Sequence, residues 1–500
     1  MADTEPRRPN VLFIVADQWR GDCLGGAGHP LVRTPRLDSL AAEGVRFPLH
    51  HGQASPCGPS RASIHTGTYL HTHRSVFNGS PLDAGLTNLA LEARSAGYVP
   101  HLYGYTDTTI DPRTTTDDDP RLLDYEGPLP GYEETLLLPE HRDAWYRWME
   151  SRGHDISDRS RFLRPRDDVD VPSGRGASWA PPPFSADETE TALVVDTAID
   201  HIEDLVDGGD PWFLHVSLYR PHPPFTVPDP YNDMFDPADV PEPIPPTVSD
   251  HPFLQVMSTW GLTDPPVDPL DLRQLRATYY GMLAEVDHQV GRLLDTLSAL
   301  SVDEDTIVVF SSDHGEFLGD HGLMSKLGFH DQAYHIPLIV RYPALRGPRG
   351  RVVDEFTENV DIMPTILDLA GVAVPAQCQG RSLRPFLEGC DVAGWRTSTH
   401  WEFDFRVFAR EVGIPLTSCN LAVHRDRSGK YIHFAGMPPI FYDLESDPHE
   451  LHPFHEHPEM ARYAAELLDW RMSSDDETLA RRLATPHGMI TLRDPELTET

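Results

Sequence analysis

Lysine is almost missing from this chain. It stands only at positions 326 and 430 of 500, and every other basic side chain is arginine or histidine. Basic residues number 41 against 78 acidic ones, a formal charge of -37. So acidic a surface argues against nucleic acid and anionic membranes as partners. Cysteine is scarce too. Cys23, Cys57, Cys378, Cys390 and Cys419 are an odd, scattered set, which excludes a disulfide framework, and no C-x-x-C pair suggests structural zinc. Long apolar runs are absent, and nothing approaches membrane-spanning length. The run VLFIVA after Arg7 and Arg8 is too short for a signal-peptide core and no cleavage site follows it. A cytoplasmic location is the resulting expectation. No internal repeat is present.

What remains is a chain of β-rich apolar runs that end in chemically useful residues. NVLFIVA leads into Asp17 and Gln18, YVPHLYG into Tyr105, PWFLHVSLY into Arg220 and His222, and DTIVVFSS into Asp313 and His314. Such runs, separated by helical patterns, predict a mostly parallel buried sheet between helices. Ligands of open α/β sheets bind outside the carboxyl ends of the strands, so these segments should meet at one edge. Leu275, Tyr279, Met282, Val286, Val290, Leu293 and Leu297 fall at helical spacing and form a packing face. Residues 111–190 and 223–270 are proline-rich excursions that could wall a pocket. Near residue 390 the pattern changes to short strand-like runs, THWEFDF, NLAVHRD, KYIHFAG and IFYDLESD, then a closing amphipathic helix. This predicts an α/β chain with a catalytic unit over 1–389 and a smaller C-terminal α/β unit over 390–500, carrying a short antiparallel sheet.

The segment Cys57–Gly67 reads CGPSRASIHTG. Pro59 suits a first helical turn, where its missing N–H is not needed. Amides around Ser60 would point donors at position 57, and a helix N-terminus favours an anion. Arg61 adds a fixed cation with a fork suited to sulfate or phosphonate oxygens. The plain alternative is a structural thiol at a loop–helix junction. Cysteine-phosphatase chemistry does not fit, because it uses C-x5-R and this chain has C-x3-R. Asp17, Gln18, Asp313 and His314 make a second cluster. Carboxylate and amide oxygens suit Ca²⁺, Mg²⁺ or Mn²⁺, and the imidazole leans toward Mn²⁺ or another transition metal. SSDHGE alone would read equally well as a turn after a strand. Lys326, in a chain nearly without lysine, follows that motif closely.

The C-x-P-S-R…T-G pattern resembles that of the type I sulfatases. The wider set NVLFIVADQWR, CGPSRAS, HRSVFNGSPLD, GYTDTTIDPRTT, YRPHPPF, SDHGEFLGDHGLMSKLGF, VDIMPTILDLAG and KYIHFAGMPPIFYDL is similar to the phosphonate monoester hydrolase and arylsulfatase branch of the alkaline phosphatase superfamily. The Asp17-Gln18 pair stands where ordinary sulfatases show two aspartates. The resemblance implies an alkaline phosphatase-like fold and a hydrolase of sulfate esters, phosphonate monoesters or phosphodiesters. It implies that a maturation enzyme oxidises Cys57 to formylglycine, the hydrated aldehyde that acts as nucleophile. Asp17, Gln18, Asp313, His314 and modified Cys57 would bind one divalent metal. Arg61 would hold the hydrate, His222 would be the acid for the leaving oxygen, and Lys326 would stabilise charge. Asn78, Tyr105 and Asp107 would contact the substrate.

At Asp107 the branch leads one to expect threonine, and a one-residue shift in register would put Thr106 or Thr108 in that role instead. A carboxylate there would repel dianions more than monoanions. Relatives of the branch form tetramers, so a homo-oligomer, tetramer or dimer, is the expectation. Two other readings stand beside this one: a phosphodiesterase or phosphatase on the same fold, and a non-catalytic anion- or metal-binding member that keeps the Cys57 thiol.

Overall fold

The computed structural model describes residues 8–247, 249–257 and 264–492. Arg7, parts of the 223–270 stretch and the last eight positions lie outside them. An eight-stranded sheet organises most of the chain. From one edge its strands are Glu133–Leu137, Pro100–Gly104, Phe213–Leu218, Asn10–Ala16, Thr306–Ser312, Leu338–Arg341, Val45–Arg46 and Arg351–Val352. The first five run parallel. Leu338–Arg341 then runs antiparallel to its neighbours on both sides.

The apolar runs are continuous because both faces of the sheet are covered. In Asn10–Ala16 the period of two sends Leu12, Ile14 and Ala16 into one core and Val11, Phe13 and Val15 into the other. The first core is closed by helices Pro35–Glu43, Glu190–Gly208 and Pro269–Ala299. The second is closed by Cys57–Thr66, Leu89–Ser95 and Ile362–Leu369. Tyr279, Met282, Val286, Val290, Leu293 and Leu297 are fully buried, as their spacing required, and Leu275 packs at the margin.

After residue 398 a four-stranded antiparallel sheet forms from Thr399–Asp404, Asn420–Arg425, Gly429–Phe434 and Ile440–Asp443. Helix Met460–Ser473 follows. The core of this sheet is shared: Trp401, Phe403 and Tyr442 pack with Phe253, Phe317, Phe329 and Tyr334 from earlier in the chain. Lys430 is completely buried here, ion-paired to Asp331 at 2.9 Å and Glu450 at 2.7 Å. Among the described residues, no helix is long and apolar enough to cross a membrane.

The 111–190 stretch is more ordered than its composition indicates. Glu133–Leu137 adds the outermost strand to the main sheet, and helix Asp143–Ser151 buries Trp145, Tyr146 and Met149. The strand carries no alternating pattern: three of its five residues are exposed and two are acidic, which suits an edge.

Candidate active site

Strand register builds the site. Ala16 pairs with Leu218 on one side and Ser312 on the other, so the chain leaves the sheet side by side at Asp17, Tyr219 and Asp313. Tyr105 follows directly on the neighbouring strand. Helix Cys57–Thr66, every residue of it buried, aims its first residue at the same edge.

Asp17, Cys57, Asp313 and His314 converge there, with their ligand atoms within 4.8 Å of one another. His314 Nε2 lies 3.1 Å from Cys57 Sγ. Asp17 Oδ1 is buried and has no hydrogen-bond partner among the described residues. Burial would raise the Asp17 pKa, but Arg61, His314, Lys326 and the Tyr105 hydroxyl outweigh it and hold the group below the usual carboxylate range. Burial, with Lys326 adding to it, lowers His314 against the pull of Asp313 and Asp17, leaving a neutral imidazole. Two carboxylates and a neutral imidazole around one orphaned oxygen are a donor set that fits a divalent cation.

Arg61 braces this set. Its Nε donates to Asp313 Oδ2 at 2.9 Å and its Nη2 to Asp17 Oδ2 at 3.1 Å. The remaining bonds go to Ser217 Oγ, the Tyr105 carbonyl and the Tyr105 hydroxyl. A guanidinium has five N–H groups, so these five bonds use its whole capacity. Arg61 therefore faces the carboxylates rather than position 57. The amides expected to aim at Cys57 are also engaged: Gly58 N donates to Asn78 Oδ1 at 2.9 Å, and Ser60 N to the Pro56 carbonyl. Neither amide is therefore free to donate toward position 57.

Gln18 and Lys326 meet directly. Lys326 Nζ donates to Gln18 Oε1 at 2.6 Å, and Gln18 Nε2 donates to Glu316 Oε2. Lys326 is buried, and the acidic groups around it outweigh desolvation and keep it cationic. Tyr105 donates its hydroxyl to Asp17 Oδ2. His222 is half-buried, packs edge-on against Tyr219 at 4.8 Å, and its Nδ1 bonds the Pro223 carbonyl at 2.9 Å. That bond fixes the Nδ1–H tautomer and leaves Nε2 as the working nitrogen. Burial first, then Lys326, hold His222 well below the usual imidazole range.

Asp107 is 4% exposed, and neither carboxyl oxygen has a partner among the described residues. Burial, reinforced by Glu126, Asp17 and Asp313, pushes its pKa well up. Its backbone carbonyl packs so closely on Gly58 that a Cβ there would meet it at 3.1 Å. Gln18, Asp107 and Ser325 all hold positive φ, at 70°, 53° and 71°. Backbone strain of this kind costs about 1–3 kcal/mol each and collects at functional sites.

The structure brings Asp17, Gln18, Cys57, Arg61, Tyr105, Asp313, His314 and Lys326 to this edge, with Asn78 and Asp107 against Gly58, whereas Arg220 turns to Glu190 and the Thr226 carbonyl. Glu316, Ser217 and Tyr219 were missed as roles. Only Glu316 carried a signal, its place three residues after Asp313.

Comparison with known proteins agrees with the geometry. The sulfatase family model matches residues 9–372, and the model for the C-terminal part of N-sulphoglucosamine sulphohydrolase matches 319–475. The multifunctional alkaline phosphatase superfamily protein PehA of Trinickia caryophylli is 36% identical, over 97% of this chain and 99% of its own length. The phosphonate monoester hydrolase of Agrobacterium radiobacter is 42% identical with a TM-score of 0.89, covering 97% of this chain and 100% of that one. That of Silicibacter pomeroyi, SpPMH, is 37% identical with a TM-score of 0.91, covering 97% and 99%. A family match over most of the chain, together with a cysteine at a helix start facing a buried Asp–Asp–His cluster, makes this protein a member of the sulfatase family, a hydrolase of the alkaline phosphatase superfamily.

Proposed function

We propose that this enzyme hydrolyses sulfate monoesters and phosphonate monoesters through formylglycine at position 57. The observation that carries this reading is the approach of Cys57 to Asp17, Asp313 and His314. A free cysteine buried there is poorly suited to thiolate chemistry, since burial and the nearby Asp17 push its thiol pKa well up. As formylglycine it would supply a geminal diol, one hydroxyl to attack and a second to release the bound group by C–O cleavage. Asp17, Gln18, Asp313 and His314 would hold a divalent ion, with Mn²⁺ or Ca²⁺ best matched to mixed oxygen and nitrogen donors. Such an ion would offset the charge of an anionic substrate.

The chain's own residues divide the remaining work. Arg61 helps hold Asp17 ionised and aligns both carboxylates. Lys326 offers a buried positive charge to the non-bridging oxygens. Asn78 and Tyr105 border the transferring group. His222, neutral in the resting state, takes a proton from solvent at Nε2 as the anion enters and passes it to the leaving oxygen. Asp107 sets the tolerance for substrate charge. We place the reaction in the cytoplasm on the strength of five unpaired cysteines, and assign residues 390–500 to the smaller unit.

The test is the mass of the tryptic peptide Phe47–Arg61 from protein made in its native host, paired with a substrate panel. The thiol-to-aldehyde mass loss with turnover of an aryl sulfate and an aryl phosphonate is the expected result. An unmodified thiol, under conditions that convert a known sulfatase, would sink the proposal.

A further inference from the structure

The loop after His314 doubles back on itself, and one side chain holds both of its arms. Glu316 is fully buried. Its Oε1 accepts from Leu318 N at 3.0 Å and from Ser325 N at 2.6 Å, while its Oε2 accepts from Gln18 Nε2. Phe317 N meets the Ser325 carbonyl at 2.9 Å, and Gly319 N the Leu323 carbonyl at 2.8 Å, so 317–325 is a closed loop. It contains positive φ at Leu318, Gly319, His321, Gly322 and Ser325, a conformation that needs an internal tie. Asp320 anchors the outer end through Arg20 at 2.7 Å and Arg276 at 3.0 Å. Lys326 is the next residue after the loop.

The same carboxylate also decides the polarity of Gln18. A primary amide presents an oxygen at one end and two N–H donors at the other, and the two ends have nearly the same shape. Glu316 Oε1 is filled by the Leu318 and Ser325 amides, and its Oε2 takes the N–H end. The oxygen must then face Lys326, which has only donors. Lys326, Gln18 and Glu316 form one chain of hydrogen bonds in which donors and acceptors alternate correctly in a single orientation.

We infer that Glu316 is a positioning residue, which fixes the Gln18 amide with its oxygen toward the metal cluster and delivers Lys326 to it by closing the 317–325 loop. It touches neither substrate nor reacting atoms. The inference rests on Gln18 acting as a metal ligand. Replacing Glu316 by glutamine keeps an oxygen for the Leu318 and Ser325 amides but turns an N–H donor toward Gln18. Donor then meets donor, and Gln18 flips to relieve it. The flip points a second N–H group at Lys326 and removes an oxygen from the ion.

The experiment measures Mn²⁺ binding to the purified, metal-stripped full-length enzyme, alongside kcat and KM for an aryl sulfate and amide exchange at Leu318 and Ser325. Four variants are compared with the parent: Gln18→Ala, Glu316→Gln, Gln18→Glu, and the reciprocal Gln18→Glu/Glu316→Gln pair. Glu316→Gln should weaken Mn²⁺ binding by about 10–100-fold, the usual effect of losing a residue that orients a ligand. It should lower kcat while KM and the exchange of the two amides stay near the parent. Gln18→Glu should also fail, because two carboxylates then face each other. The reciprocal pair restores donor to acceptor and should recover most of the Mn²⁺ affinity, which a purely structural role would not produce. Full Mn²⁺ affinity in Glu316→Gln, with the loss confined to Gln18→Ala, would overturn the inference and leave the ligand assignment standing. A reciprocal pair no better than the weaker single variant would also overturn it. If Gln18→Ala binds Mn²⁺ like the parent, the ligand assignment falls and takes the inference with it.

Discussion

His314 Nε2 stands 3.1 Å from Cys57 Sγ although the two residues are 257 positions apart in the chain. A strand end and a helix start are brought together at one buried point, with Asp17 and Asp313 on the flanks. The neutral imidazole is ready to bind a cation, and nothing else among the described side chains except the Cys57 sulfur lies within hydrogen-bond reach of that nitrogen. His314→Ala should therefore weaken divalent-ion binding by at least about 100-fold, more than loss of an outer partner costs. Turnover should return in part with excess Mn²⁺. Isothermal titration of the stripped enzyme and a rescue curve check this, and unchanged affinity would exclude His314 as a ligand.

His222 gives a prediction about leaving groups. Its Nδ1 is tied to the Pro223 carbonyl and its Nε2 is the nitrogen available to a leaving oxygen. His222→Asn should slow esters of poor leaving groups such as alkanols by about 10²–10⁴-fold, the usual span for general acid catalysis. Esters of 4-nitrophenol, which leave without a proton, should be affected far less. A plot of log kcat/KM against leaving-group pKa should steepen in the variant. Parallel plots would show that His222 donates no proton.

Asp107 predicts substrate charge. Its carboxyl is buried with no partner, and burial alone places a penalty on its ionised form. Protonated, the group repels neither monoanion nor dianion; only once ionised, above its raised pKa, does it repel a dianion more than a monoanion. Asp107→Thr should therefore raise the phosphate-monoester to sulfate-ester ratio of kcat/KM by about tenfold at alkaline pH, where the carboxyl is ionised, and leave it unchanged at acid pH, where it is not. A ratio unchanged at alkaline pH as well would mean that Asp107 has no part in charge selection.

Acid sensitivity should begin near neutrality. Burial, its first cause at every one of them, lowers His50, His73, His215 and His424 to about 3. In the unfolded chain these groups regain ordinary values near 6.5, so between about pH 6.5 and 3 the unfolded state binds more protons. Stability must then fall as pH drops through that window, by about 1.4 kcal/mol per pH unit for each proton. Urea midpoints measured from pH 8 to 4 should decrease steadily below about 6.5. A flat profile would falsify the assignment of these histidines as neutral in the fold.

Much of this enzyme was already legible in its sequence. Unbroken apolar runs such as NVLFIVA and TIVVFSS require a sheet covered on both faces, and residues following a strand end must lie at its edge. These are local rules, so Asp17, Gln18, Asp313 and His314 could be found by reading along the chain. The Glu133–Leu137 edge strand could not, since three exposed residues followed by two half-buried leucines carry no alternating signal. Nor could the assignment of Arg61. Sequence gives a cation four residues after Cys57, but only strand register and helix placement decide that its five donors serve Asp17, Asp313, Ser217 and Tyr105 instead of position 57. The same holds for Glu316, whose partners Gln18 and Ser325 lie on opposite sides of it in the chain. Residue type and short-range spacing determine what chemistry is available. Which donor meets which acceptor is decided when distant segments pack and water no longer competes for their hydrogen bonds.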